Sequence, residues 1–105
     1  MAQFTLYENQ NPDSRESYPF FVDVQNSLLD SLNSRLVVPL TPYRNLDESN
    51  ITNLCPTITL HEERFVVLTH QMTNVPTSAL KAAVTSLDYL QDDIIAAIDF
   101  LVTGI

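Results

Sequence analysis

The chain has 105 residues, of which 45% are apolar and 17% charged, and its formal net charge is −8. This length predicts a single domain, 1–105, with one hydrophobic core, and nothing in the composition indicates disorder. The acidic balance argues against direct binding to nucleic acid or to an anionic membrane surface, because both depend on cationic side chains. It favours a basic protein partner instead.

A single cysteine, Cys55, excludes an internal disulfide and favours a reducing compartment. The first residues lack the basic segment and apolar run of a signal peptide, and no stretch approaches the roughly 20 apolar residues of a membrane span. We therefore expect a cytoplasmic protein.

The first half of the chain predicts three strands separated by polar loops. Alternating apolar residues and β formers place these strands at 4–7, 19–25 and 35–40. Within the third strand, Pro39 indicates an edge position or a bulge. Residues 41–53 are polar and irregular.

The second half predicts a hairpin and then a short strand. Residues 57–60 and 64–69 flank His61-Glu62-Glu63, a pattern typical of a hairpin. Residues 71–76 predict a short strand and a turn, and 77–85 a brief helical turn. With strands first and a helix last, the sequence predicts an α+β fold with a small curled antiparallel sheet.

The last nineteen residues, 87–105, predict one amphipathic helix with Ser86 as its N-cap. Apolar residues three or four positions apart form its predicted buried face: Leu87, Leu90, Ile94, Ile98 and Leu101. A second apolar pair, Ile95 and Val102, lies on the side that carries aspartates. Either this side contacts another chain, or the sheet wraps far enough around the helix to bury it.

All the charged side chains of this helix are acidic: Asp88, Asp92, Asp93 and Asp99. A helix C-terminus has negative dipole character, so Asp99 and the carboxylate of Ile105 are unfavourable there in the isolated chain. Such a surface becomes favourable against a positively charged partner. The tail, which contains the only glycine, Gly104, is therefore a candidate recognition surface, and the alternative is an ordinary frayed acidic terminus.

The residue chemistry favours a binding protein over an enzyme. His61 and His70 do not form the zinc-protease pattern, and one cysteine with two scattered histidines is too few ligands for a structural metal site. His70 and Asp23 could converge on Cys55, although nothing in their spacing requires it, and a small packed hydrophobe is the favoured interpretation. We predict no catalytic residue, no metal and no cofactor.

Short motifs follow one another along nearly the whole chain. They are Gln3-Phe4 with Tyr7, Phe21-Val22-Asp23-Val24-Gln25 with Leu28-Leu29-Asp30, Arg35-Leu36-Val37-Val38-Pro39-Leu40, Leu54 with Pro56-Thr57-Ile58, Met72 with Val75-Pro76, and Ile94 to Ile98 with the terminal Gly104-Ile105. In their order, spacing and shared C-terminal end, they resemble the CcdB family of toxins from bacterial toxin–antitoxin modules.

The resemblance implies a symmetric homodimer of SH3-like small antiparallel β-barrels, each with an additional small sheet and a C-terminal α-helix. Such toxins are not enzymes. They bind the A subunit of DNA gyrase with the C-terminal ends of the dimer and trap gyrase on cleaved DNA. A CcdA-type antitoxin neutralises them through a disordered segment that folds on binding, and the toxin–antitoxin complex represses its own operon through the antitoxin's DNA contact.

Carried over residue by residue, the resemblance implies a gyrase-binding surface of seven residues. They are Leu28, Leu29, Asp99, Val102, Thr103, Gly104 and Ile105. The antitoxin site is not localised, but is expected to overlap Leu28, Leu29 and the tail. The plasmid form of the family has Asn at position 99 and ends in Phe-Trp-Gly-Ile. Here Thr103 stands in place of the Trp, and it cannot supply a large buried anchor of the hot-spot type. Affinity for gyrase is then expected to rest more on Asp99 and the terminal carboxylate.

Two other functions stay open at this point. The Thr103 departure is compatible with a non-toxic decoy relative that binds antitoxin only. A related small-barrel family contains endoribonuclease toxins, but that activity needs a basic groove and a positioned acid–base set. Five scattered cations and two histidines argue against it.

Overall fold

The computed structural model describes residues 3–26, 31–46 and 55–104. Within these ranges the chain forms seven strands and one α-helix. They are β1 (Thr5–Glu8), β2 (Phe20–Asp23), β3 (Ser34–Pro42), β4 (Thr57–Leu60), β5 (Glu63–Val67), β6 (Thr73–Pro76), β7 (Ala83–Ser86) and α1 (Gln91–Thr103). Short 3-10 turns lie at Tyr43–Asn45, Thr69–Gln71, Thr77–Ala79 and Asp88–Leu90.

The strands form an antiparallel sheet in the order β4-β5-β3-β2-β1-β7, and β6 pairs with β3. The long strand β3 pairs with β6 through Ser34 to Val37 and with β5 through Leu40 to Pro42. The sheet curls into a half-barrel around a core that the C-terminal helix covers. This confirms the predicted α+β class. Outside the main strand order, β6 pairs with the first half of β3 as part of the same sheet.

Pro39 lies inside the central strand β3, so the predicted edge position or bulge is wrong. Opposite β2 it pairs in regular register with Phe21. Its carbonyl oxygen points to the other side, where it accepts a hydrogen bond from the Leu68 N–H at 2.9 Å. The backbone nitrogen and oxygen of a strand residue face the same neighbour. The missing N–H therefore falls at the point where β3 changes its partner from β6 to β5, and a proline is tolerated there.

The main core lies on one face of the sheet and follows the two-residue period of the strands. Its buried members are Phe4, Leu6, Val22, Val38, Leu40, Ile58, Phe65, Val67, Leu87, Leu90 and Ile94. On the opposite face, Tyr7, Val37 and Leu80 form a smaller buried cluster. The sheet is thus covered by apolar side chains on both faces.

The helix buries most of the face that its periodicity predicts. Leu87, Leu90 and Ile94 are in the core, and Ile98 packs against it. The periodicity also predicts burial of Leu101, but 43% of it is exposed. The core ends near Ile98, and the last turn of α1 extends beyond it.

Strand β7 is an element that the sequence does not predict. The pattern of residues 77–85 favours a helical turn, but only Thr77–Ala79 is helical, and Ala83–Ser86 pairs with β1. The pairing partner lies about 80 residues away in the chain, so no local pattern reveals it. Ser86 ends this strand, and its hydroxyl accepts a hydrogen bond from the Asp88 N–H at 3.2 Å. It therefore supports the 3-10 turn at Asp88–Leu90, and the α-helix itself begins only at Gln91.

The predicted hairpin is confirmed, and its turn is strained. Leu60 pairs with Glu63, so His61 and Glu62 alone connect β4 to β5. Their φ angles are +50° and +67°, as a two-residue type I′ turn requires. Residues with a Cβ adopt this region at a cost of roughly 1–2 kcal/mol each, and Asn-Gly is the preferred pair.

Replacing His61 by Asn and Glu62 by Gly is therefore expected to stabilise the protein by about 1 kcal/mol. Thermal unfolding followed by circular dichroism should show a melting temperature several degrees higher. The matched control is the double alanine variant, which keeps two Cβ atoms in the turn and should show no gain. An unchanged melting temperature for the Asn-Gly variant would contradict the strain argument.

Candidate protein-binding site

The C-terminal end of α1 projects from the core and exposes apolar side chains. Val102 is 79% exposed, and Phe100 and Leu101 are 42% and 43% exposed. In the described part of the chain, these are among the few large apolar residues that face solvent. Apolar side chains grouped at one exposed position are typical of a protein-binding site.

Gly104 ends the helix in the left-handed conformation. Its φ and ψ are +73° and +18°, and its N–H donates to the Phe100 carbonyl oxygen at 2.8 Å. This is the usual glycine cap of a helix C-terminus. A Cβ built at Gly104 would meet no atom within 4 Å in this chain. The space next to its backbone is therefore open to a partner.

Thr103 directs its hydroxyl into its own helix. The Oγ1 atom donates a hydrogen bond to the Asp99 carbonyl oxygen at 2.7 Å. The hydroxyl is therefore committed to an intrahelical bond. Thr103 therefore offers a partner no free O–H donor and only a small contact area.

The charges of α1 match its dipole at one end and oppose it at the other. Asp92 and Asp93 lie in the first turn, where carboxylates are favourable, and the last turn holds no basic residue. Asp99, near that last turn, is exposed, and no ion pair to it is found among the described residues. For Asp99 this confirms the unfavourable acidic end predicted from the sequence, whereas Ile105 lies outside the described residues.

The outward side of the helix is not covered by the sheet. Ile95 is 39% exposed and Val102 79% exposed. The sequence left two alternatives for the side that carries these residues, burial by the sheet or contact with another chain. Burial by the sheet is wrong for the single chain. Contact with another chain stays a prediction.

A buried ion pair joins the ends of β2 and β3 on the sheet face opposite the helix. The Arg35 Nη2 and Nε atoms both lie 2.8 Å from Asp23 Oδ2, and the two side chains are 1% and 0% exposed. Burial raises the pKa of the nearby Tyr7 hydroxyl, and the Asp23 charge raises it further. In the sequence, Asp23 lies within the predicted strand 19–25 and Arg35 begins the predicted strand 35–40. One acidic and one basic residue in two consecutive apolar strands could have indicated this ion pair.

The same pair holds the beginning of the connection from β2 to β3. Asp23 Oδ1 accepts a hydrogen bond from the Gln25 N–H at 3.0 Å, and Gln25 Oε1 accepts one from the Leu36 N–H at 3.0 Å. Leu28 and Leu29 follow in this connection, but they lie outside the described residues, as does Ile105. The other four predicted site residues, Asp99, Val102, Thr103 and Gly104, lie together at the end of α1.

The structure brings together two of the three residues considered for nucleophilic chemistry. The Cys55 Sγ lies 3.8 Å from the His70 Nδ1 and 3.8 Å from the Thr69 Oγ1. Asp23 is instead bound to Arg35 and cannot orient His70. Cys55 is buried with Val66 and Leu68, consistent with a packing role. His61 and His70 lie at opposite ends of β5, and the described ranges contain no group of three potential metal ligands.

Three of the five cations are engaged in contacts within the chain. Arg35 is buried with Asp23, and Arg44 pairs with Glu63. Arg64 lies over the ring of Tyr43, 4.3 Å from its centroid. Two of these contacts pair the cation with a carboxylate, which argues against a basic groove of the kind that binds single-stranded nucleic acid. In the described ranges, no helix has the length and apolarity to cross a membrane.

A curled half-barrel with a projecting C-terminal helix is the architecture that the motif resemblance predicts for a toxin of a toxin–antitoxin module. The family model of the CcdB protein matches residues 3–104. The chain therefore belongs to the CcdB family of toxin–antitoxin toxins.

Proposed function

We propose that this protein binds the A subunit of DNA gyrase and traps the enzyme on cleaved DNA. The observation that carries the proposal is the exposed end of α1, where Val102 and Gly104 project beyond the core. The toxin itself makes and breaks no bond in this mechanism. It acts by binding a state of gyrase in which the DNA is already cut.

The chemistry of the helix end supports a basic partner. Asp99 lies at the helix end where a negative charge is least favourable, so a partner cation would relieve this cost. An arginine of gyrase that pairs with a carboxylate would form a charge-assisted hydrogen bond. The exposed Val102 supplies apolar contact beside it. The open space at Gly104 lets the backbone approach the partner closely.

The active form in this proposal is a homodimer, which places two such helix ends side by side. A CcdA-type antitoxin neutralises the toxin by occupying part of the same surface, so that antitoxin and gyrase compete. Sedimentation equilibrium tests whether the protein is a homodimer. Release of gyrase from the toxin on addition of antitoxin tests whether antitoxin and gyrase compete.

A supercoiling and DNA-cleavage assay with purified gyrase tests the function directly. We expect linear DNA to accumulate in an ATP-dependent manner after treatment with denaturant and protease. Neither cleavage nor loss of supercoiling, with the protein shown to be folded and dimeric, would contradict gyrase poisoning. Total RNA incubated with the protein should stay intact, and its cleavage would favour the endoribonuclease alternative.

The decoy function is a second candidate because of one observation at Thr103. Its hydroxyl is bonded within the helix, so position 103 offers no large anchor. A protein that binds antitoxin tightly but leaves gyrase supercoiling unchanged would be such a decoy.

Replacing Thr103 by Trp is expected to raise the affinity for gyrase about thirtyfold, because a buried Trp of the hot-spot type contributes about 2 kcal/mol. Surface plasmon resonance with immobilised gyrase A subunit measures this change. Thr103→Ser, which keeps the hydroxyl bond, is the matched control and should bind like the natural protein. Unchanged or weaker binding of the Trp variant would place position 103 outside the interface.

A further inference from the structure

Strand β4 ends the strand order of the sheet, and within the described ranges no strand pairs with its outer side. The Pro56 carbonyl oxygen accepts a hydrogen bond from the Val67 N–H at 2.8 Å. Residues bonded to the neighbouring strand alternate along an antiparallel pair, so the N–H and C=O groups of Thr57 and Thr59 point away from β5. Among the described residues, no partner for these outward groups is found. The outer edge of β4 can therefore accept a further strand.

A cleft of about 540 Å³ lies between the beginning of β4 and the C-terminal helix. Thr57 and the two residues before it form one wall. The other wall is a single face of α1, formed by Asp93, Ala96, Ala97 and Phe100. This face is about 10 Å long, which corresponds to about three residues of extended chain. Phe100 and Val102 lie about 160° apart around the helix axis, so the cleft is separate from the outward side of α1.

We infer that the edge of β4 and this face of α1 form a docking site for an extended segment of a partner protein. The segment adds a strand to β4 and lies in the cleft. An extended backbone is the occupant that supplies both donors and acceptors to the outward groups of Thr57 and Thr59. The inference goes beyond the proposed function, because it gives the protein a second recognition surface away from the tip of α1.

The helix wall specifies the side chains of this segment. Ala96 and Ala97 are small and leave room for apolar side chains, and Phe100, 42% exposed, offers them an apolar contact. Asp93 is exposed, and no ion pair to it is found among the described residues. The segment is therefore apolar on one side and carries a lysine or arginine next to Asp93. β4 itself is Thr-Ile-Thr-Leu, so a second copy paired through this strand would bring no such cation.

Replacing Thr59 by Pro tests the strand addition. Proline removes the outward N–H and leaves the hydrogen bonds to β5 in place, because this N–H takes no part in them. The probe is a hexapeptide of alternating Val and Lys, blocked at both ends, and its binding is followed by NMR of the protein amides. Thr59→Pro is expected to weaken binding about tenfold. Thr59→Val keeps the N–H and should bind the peptide like the natural protein.

The peptide provides the same test without a change in the protein. Methylation of its backbone nitrogens at alternate residues gives two peptides, and only the one methylated on the side facing β4 should lose binding. Asp93→Asn should weaken the unmethylated peptide several-fold. Asp92→Asn removes the same charge about 100° away around the helix and should have little effect. Melting curves check that each variant is folded.

Three results would overturn the inference. The first is absence of peptide binding at millimolar concentration. The second is equal binding of the two methylated peptides. The third is loss of a dimer in sedimentation equilibrium on Thr59→Pro, which would assign the edge of β4 to a second copy of the chain. None of these measurements contains gyrase, so the proposed function is tested separately.

Discussion

Replacing Gly104 by Asp is expected to abolish gyrase poisoning and to leave the protein folded. The backbone at Gly104 has φ +73°, a conformation that Asp adopts more readily than most residues, and its side chain would project into open space. The cost to stability is therefore about 1 kcal/mol. In the complex, however, the new side chain would occupy the space through which the partner approaches the backbone, and a charge would be buried there.

The measurement is the cleavage assay, combined with a melting curve for each variant. Gly104→Asn separates shape from charge, because it has the same size without the carboxylate. Loss of poisoning with both variants would indicate steric exclusion, and loss with Asp alone would indicate burial of the charge. Thr103→Ser, one residue earlier, controls for general disturbance of the helix end. A folded Gly104→Asp variant that still traps cleaved DNA would contradict the placement of the site.

Arg35→Met is expected to destabilise the protein by about 3–5 kcal/mol. It leaves the Asp23 carboxylate without its ion pair at a position that is 0% exposed. A buried charge without a partner is costly, and an ordinary domain has only about 5–15 kcal/mol of stability. Much of the variant should therefore be unfolded under mild denaturing conditions.

Urea unfolding at a fixed protomer concentration measures this effect, since dimerisation would couple stability to concentration. Arg44→Ala is the control within the same chain, because it removes the exposed pair with Glu63 and should cost less than about 1 kcal/mol. The double variant Asp23→Leu with Arg35→Met should recover most of the loss, because it removes both charges together. Similar unfolding midpoints for Arg35→Met and Arg44→Ala would show that the buried pair is not structurally important.

Local sequence patterns predicted the elements whose causes are local. The hairpin follows from β formers on both sides of a short polar segment, and the helix from apolar residues at three- and four-residue spacing. The acidic character of the end of α1 was also predictable, since charge is read directly from the chain. The order of the elements predicted the α+β class. The family motifs supplied the seven candidate site residues, which stay a prediction.

Elements that depend on distant partners were not predictable in the same way. Strand β7 has a weak pattern of its own and is defined by pairing with β1. A proline usually indicates an edge strand, so Pro39 was predicted at an edge. Its actual position, between the part of β3 that pairs with β6 and the part that pairs with β5, depends on the arrangement of the whole sheet. The pairing of Asp23 with Arg35 likewise requires the register of β2 and β3.

By itself, the sequence determined the strands with strong local patterns, the face of the helix and the negative charge of its end. The tertiary structure decided how far the core extends along α1, and therefore that Leu101, Ile95 and Val102 are exposed in the single chain. The physical reason is that periodicity specifies which side of a helix is apolar, whereas burial depends on where the facing sheet stops. The candidate binding surface lies at that boundary.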